Sequence, residues 1–117
     1  MKTVLVIEPD TIFKENLLEL LEMEGFKVKG AGTIYEAKRG LNTFHPAVII
    51  CDEASLNEAF ANLREDLKNA HKTASIVIIN TDGTNDNFKD ADIYLKMPFR
   101  NEELLSNLNE LTRGKKA

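Results

Sequence analysis

Three short stretches of the chain are apolar without alternation: Val4-Leu5-Val6-Ile7, Val48-Ile49-Ile50-Cys51 and Ile76-Val77-Ile78-Ile79. Runs of this length, rich in β-branched residues and lacking a polar face, suit strands covered on both sides, as in a parallel sheet flanked by helices. Helical spacing lies between them. Phe13, Leu17, Leu20 and Leu21 recur on one face, opened by Asp10 or Thr11 as cap and closed by Gly25. Thr33 and Glu36 have capping-box spacing, and Ile34, Ala37, Leu41 and Phe44 share the face that follows. Leu56 to Ala70 predicts a third helix with Phe60, Leu63 and Leu67 inward. Asn101 is the expected cap of a last helix carrying Leu104, Leu105, Leu108 and Leu111. Phe26-Lys27-Val28-Lys29 alternates and predicts an edge strand with its lysines outward, and Asp92 to Leu95 a short fifth strand.

Strand and helix therefore alternate, which predicts an α/β fold with a parallel sheet and right-handed crossovers. The weakest segment is Thr81 to Ala91, polar and almost without apolar periodicity. It is barely long enough for a crossover, so its helix is expected to be a turn or two, or absent. No repeat, linker or low-complexity run interrupts the pattern. Residues 1–112 read as one domain and 113–117 as a tail.

Composition narrows the function. With 117 residues, 43% of them hydrophobic, the chain supports one modest core. Its single cysteine excludes an internal disulfide, and two histidines with that cysteine cannot close a zinc site. Fifteen Lys and Arg against nineteen Asp and Glu give a net charge of −4, without the basic field that nonspecific nucleic-acid or acidic-membrane binding uses. Neither partner is expected to be contacted directly. Near the N-terminus the apolar run stops at Glu8, too soon for a signal-peptide core or a membrane span, and a cytoplasmic protein is expected.

In open parallel sheets the ligand crevice lies beyond the carboxyl ends of the strands. The residues predicted there are Glu8-Pro9-Asp10, Asp52-Glu53, Asn80-Thr81-Asp82 and Lys96-Met97-Pro98-Phe99. Two acids on neighbouring strands, with a hydroxyl and an ammonium on the next two, could hold a cation and a phosphoryl group. Each could equally be an ordinary polar strand end.

Val4-Leu5-Val6-Ile7-Glu8, His45-Pro46-Ala47-Val48-Ile49-Ile50-Cys51-Asp52, Thr81, and Asp92-Ile93-Tyr94-Leu95-Lys96-Met97-Pro98-Phe99 together resemble the receiver domain of two-component response regulators. The resemblance spans nearly the whole chain. It implies a doubly wound, flavodoxin-like five-stranded sheet of order 2-1-3-4-5 with a shortened or missing fourth helix. It also implies a phosphoryl group passed from a histidine kinase or phosphotransfer protein to an aspartate in the presence of Mg²⁺. Residue by residue, Asp52 matches the phosphoacceptor, Glu8 the first of two acids after strand one, and Thr81 the hydroxyl that follows the phosphoryl group. Tyr94 matches the aromatic that reports the switch, and Ala54 could still give a backbone carbonyl to the metal, since that needs no particular side chain.

Two positions depart from the family. Pro9 stands in place of the second acid, and Met97 in place of the lysine before Pro98. Proline brings neither a carboxylate nor an N–H, and methionine brings no charge. A loss of ~2 kcal/mol at either position is about thirtyfold in affinity. Asp10 and Lys96 stand one residue away as substitutes. Asp10, at a helix start, reads as a cap before it reads as a metal ligand, and Lys96, shifted by one in a strand, faces the other side of the sheet. Glu53 is expected to face water. The short segment before the fifth strand would leave Tyr94 packed rather than switching. A calcium loop from Asp82 fails, since Asn87 and Ile93 stand where glycine and glutamate are needed.

The expectation is a signalling receiver domain acting through a downstream protein partner, monomeric or weakly dimeric. It is no enzyme beyond taking a phosphoryl group onto its own Asp52. The alternative is a phosphorylation-independent pseudo-receiver acting as an interaction module.

Overall fold

A computed structural model describes residues 2–55, 58–70, 73–80 and 91–113. Five strands, β1 (Thr3–Ile7), β2 (Lys27–Ala31), β3 (Val48–Asp52), β4 (Ser75–Asn80) and β5 (Ile93–Lys96), form one sheet in the order β2-β1-β3-β4-β5. Every neighbouring pair is parallel. Among the described residues four α-helices accompany them: α1 (Thr11–Met23), α2 (Ile34–Gly40), α3 (Glu58–Asn69) and α4 (Asn101–Thr112). The expected short fourth crossover falls at 81–90, outside the described residues, as do 56–57 at the expected start of the third helix and 114–117 of the tail.

The unbroken apolar runs divide their side chains between two cores, as doubly covered strands must. Val4, Val6, Val48, Ile50, Val77 and Ile79 pack with Leu17 and Leu21 of α1 and Leu104 and Leu108 of α4. Leu5, Ile7, Ile49, Cys51, Ile76 and Ile78 pack with Ala37 of α2 and Phe60, Leu63 and Leu67 of α3. This is the parallel α/β sheet the alternation predicts, doubly wound in the order 2-1-3-4-5 that the resemblance implies.

Local chemistry sets the element ends. Asp10 caps α1, its Oδ1 accepting from the Phe13 N–H at 3.1 Å, and Gly25 closes the helix at φ 95°, a conformation that favours glycine. Thr33 caps α2 by accepting from the Glu36 N–H at 3.1 Å, and Glu36 reaches back to the Gly32 N–H at 2.8 Å. The helix then stops at Gly40, so Phe44 joins the core from beyond it. Three further expectations shift. Asn101 is not the cap of α4: Arg100 holds that position without a side-chain bond, and Glu102 and Glu103 in the first turn complement the positive end of the helix instead. β2 starts at Lys27 and β5 at Ile93, one residue late in each case. Phe26 is buried just before its strand, and Asp92 turns its carboxylate onto the Ile76 N–H at 2.8 Å. Lys27 and Lys29 do face solvent on the edge strand.

Candidate functional site

β1 and β3 are neighbours in a register that pairs Ile7 with Cys51. The next residue of each strand is an acid, so Glu8 and Asp52 stand side by side at the carboxyl edge. Alternation sends them to the α1–α4 face, below which Val6 and Ile50 are buried. Both are sequestered, Glu8 at 4% exposure and Asp52 at 7%. Their carboxyl groups are joined by a side-chain hydrogen bond. The Asp10 N–H donates to Glu8 Oε2 at 3.0 Å.

Burial pushes the Glu8 carboxyl up to about 7; the Asp10 N–H opposes this, and the charges of Asp52 and Asp10 add to the rise. The same surroundings push the neighbouring Cys51 thiol up to about 12, through burial first and the two acids second, which keeps it a protonated core residue.

The other predicted members sit apart from this pair. Asp10 is exposed and engaged as the α1 cap. Lys96 closes β5, opposite Asn80, with β4 lying between its strand and β3. Leu95 packs toward α4, so Lys96 has the opposite parity to Glu8 and Asp52. It is exposed and makes no ion pair among the described residues. Met97, about a third exposed, follows the strand and enters a cis bond to Pro98. Thr81 lies outside the described residues. Ala54 lies in a 3-10 turn, Glu53–Ser55, directly after Asp52.

Glu53 departs from its expectation. Instead of simply facing water it is half-buried and accepts the Tyr94 hydroxyl at 2.9 Å. Asn80, 2% exposed at the end of β4, donates to the same hydroxyl at 3.4 Å. Reading the sequence located Asn80 at a strand end but assigned it no role. A polar residue ending an otherwise apolar run was the available signal.

No family model matches the chain. It is 28% identical over 115 residues to the transcriptional regulatory protein PmrA of Pectobacterium parmentieri, covering 94% of this chain and 52% of that protein. The chain thus spans about half the length of this curated relative. Its structure superposes on a response regulator receiver domain protein from Clostridium thermocellum with a TM-score of 0.78, at 20% identity over 95% of this chain and 94% of that one. A response regulator receiver protein from Burkholderia phymatum gives 0.79, at 16% identity over 95% and 94%. The chain folds as a response-regulator receiver domain.

In this fold the acid of β1 and the acid of β3 are in contact, with Pro9 following Glu8 and Met97 following β5. Among the described residues no three His, Cys, Asp or Glu side chains converge on one metal position. The two carboxylates that do meet are hard oxygen donors. Mg²⁺ accepts such a set with few protein ligands, because it retains several waters. No described helix is long and apolar enough to cross a membrane.

Proposed function

We propose that the chain acts in two-component phosphorelay signalling, with Asp52 as the phosphoacceptor of an inefficient site. The observation that carries this is the Glu8–Asp52 contact, a buried acid pair at the carboxyl edge of the central strands. Burying two carboxyls against each other is unfavourable unless something compensates, so their juxtaposition points to a ligand that does so. Glu8, Asp52 and the Ala54 carbonyl would hold Mg²⁺, which supplies positive charge to oxygens crowded in the transition state.

The residues themselves do the rest. An Asp52 carboxylate oxygen attacks phosphorus while the phosphorus–nitrogen bond to a donor histidine breaks and its electron pair returns to the imidazole. Glu8 must give up its proton for the cation to enter. Pro9 adds no third acid, and Met97 offers no cation to the transferred oxygens. Thr81 remains the proposed hydroxyl partner of the phosphoryl group. The partners are a histidine kinase or phosphotransfer protein upstream and a protein downstream, in the cytoplasm. Direct nucleic-acid or membrane contact is not part of this reading, and the domain itself is monomeric or a weak homodimer. Intact mass after incubation with Mg²⁺ and a small-molecule phosphodonor tests it. An adduct lost in Asp52→Asn supports the proposal, and its absence at saturating Mg²⁺ rejects it.

A second reading, a pseudo-receiver working as an interaction module, is favoured by the proton that the raised Glu8 retains near neutral pH. It expects partner binding unchanged in Asp52→Asn and indifferent to Mg²⁺.

A further inference from the structure

β5 is the last strand in the sheet order and, among the described residues, pairs only with β4, over the four positions from Val77↔Ile93 to Asn80↔Lys96. β3 and β5 are not neighbours. Even so, the Glu53 side chain, leaving the turn directly after Asp52, crosses the end of β4 and accepts the Tyr94 hydroxyl at 2.9 Å. The intervening strand joins the same oxygen through Asn80 Nδ2 at 3.4 Å. Below the hydroxyl, the Tyr94 ring rests on the α2–α3 core that holds Phe60 and Leu63. One phenol from the second position of β5 thus meets groups at the carboxyl ends of β3 and β4. Its acceptor is a carboxylate, and charge-assisted bonds of this kind are stronger than neutral ones.

We propose that Glu53 is a latch, a positioning residue that fixes Tyr94 against α3 and holds the short edge strand β5 in place from the turn that carries Asp52. A four-residue edge strand gains little from its ladder alone, and a long-range bond at its centre supplies what the ladder lacks. The latch deepens the proposed function and rests on it for its purpose: Asp52 and Tyr94, in separate strands, become linked through one peptide bond and one side chain.

The test reads the latch in the unmodified protein. The chain has two tyrosines and no tryptophan, so Tyr35→Phe, at a position 70% exposed, leaves Tyr94 as sole emitter. In that background Glu53→Ala is expected to raise acrylamide quenching of Tyr94 at least about twofold, with Glu53→Gln, which keeps an acceptor oxygen, restoring most of the protection. Tyr94→Phe keeps the ring and deletes only the hydroxyl; it should speed hydrogen exchange at the β5 amides about fivefold to tenfold while β1 and β3 amides hold. Unchanged quenching in Glu53→Ala, or unchanged exchange in Tyr94→Phe, overturns the latch. Should Glu53→Ala fail to fold, the Tyr94→Phe exchange decides alone. Failure of Asp52 to form an adduct rejects the phosphoacceptor reading and leaves these readouts intact, so the two ideas fail separately.

Discussion

The two ends of one sheet handle buried polarity in opposite ways. At the amino end, Thr3 is buried between β1 and the approach to β3, donating its hydroxyl to the His45 carbonyl at 3.0 Å and accepting from the Ala47 N–H at 2.9 Å. The hydroxyl, the carbonyl and the N–H that meet there are neutral and matched to one another. Beside it lies a cavity of about 480 Å³ lined by Thr3, His45, Pro46, Ala47, Leu67, Thr73 and Ala74. At the carboxyl end, under the same strands, Glu8 and Asp52 press two acids together and lift Glu8 to about 7. The contrast teaches where tension is stored. The amino end is satisfied by the protein alone, whereas the carboxyl end is eased by a proton on Glu8.

Packing gives the largest expected difference between the ends, because α3 runs from one to the other. Phe60, 1% exposed near its start, is expected to cost ~3–5 kcal/mol as Phe60→Ala. Leu67, beside the cavity, should cost only ~2–3 kcal/mol as Leu67→Ala because its surroundings are already open. Urea melts of the two variants would break the comparison if Leu67 proved the costlier.

Next comes the acid pair. The folded-state value of Glu8 is about 7 against an ordinary 4.5, so the folded chain binds the proton more tightly than the unfolded chain. That contribution is fully present below the unfolded value and is lost as pH rises through about 7, amounting to on the order of 3 kcal/mol in metal-free buffer. Glu8→Gln should remove this slope and leave the protein more stable than wild type at alkaline pH. Identical pH profiles for the two would show that the pair stores no such tension. The smallest effect belongs to the amino end: Thr3→Val takes the hydroxyl from the His45 carbonyl, while the Ala47 N–H keeps the Thr3 backbone carbonyl at 2.9 Å, and should cost ~1–3 kcal/mol with no slope between about pH 5 and 8. A slope there would tie Thr3 to a titrating neighbour and blur the contrast.

Much of this was legible beforehand, and unevenly. The strand runs, the Asp10 and Thr33 caps, and the alignment of Glu8 with Asp52 all follow from local period and position. The missing charges at Pro9 and Met97 stood out only through the resemblance to the receiver family. The Glu53–Tyr94 bond was not legible, nor was the Thr3 bridge, because their partners lie 41 and 42 residues apart. Nothing in local periodicity carries such distances. Asn101 misled because a good capping residue one position inside a helix looks the same in sequence as one at its boundary.

From the residues alone came the α/β class, the two-sided burial of the central strands and the acids at their carboxyl ends. Period and polarity are local properties that the chain carries before it folds. Only the folded sheet decided that Glu8 and Asp52 share a hydrogen bond and that Glu53 meets Tyr94. Those outcomes depend on strand register and side-chain parity, where a slip of one residue exchanges one face of the sheet for the other.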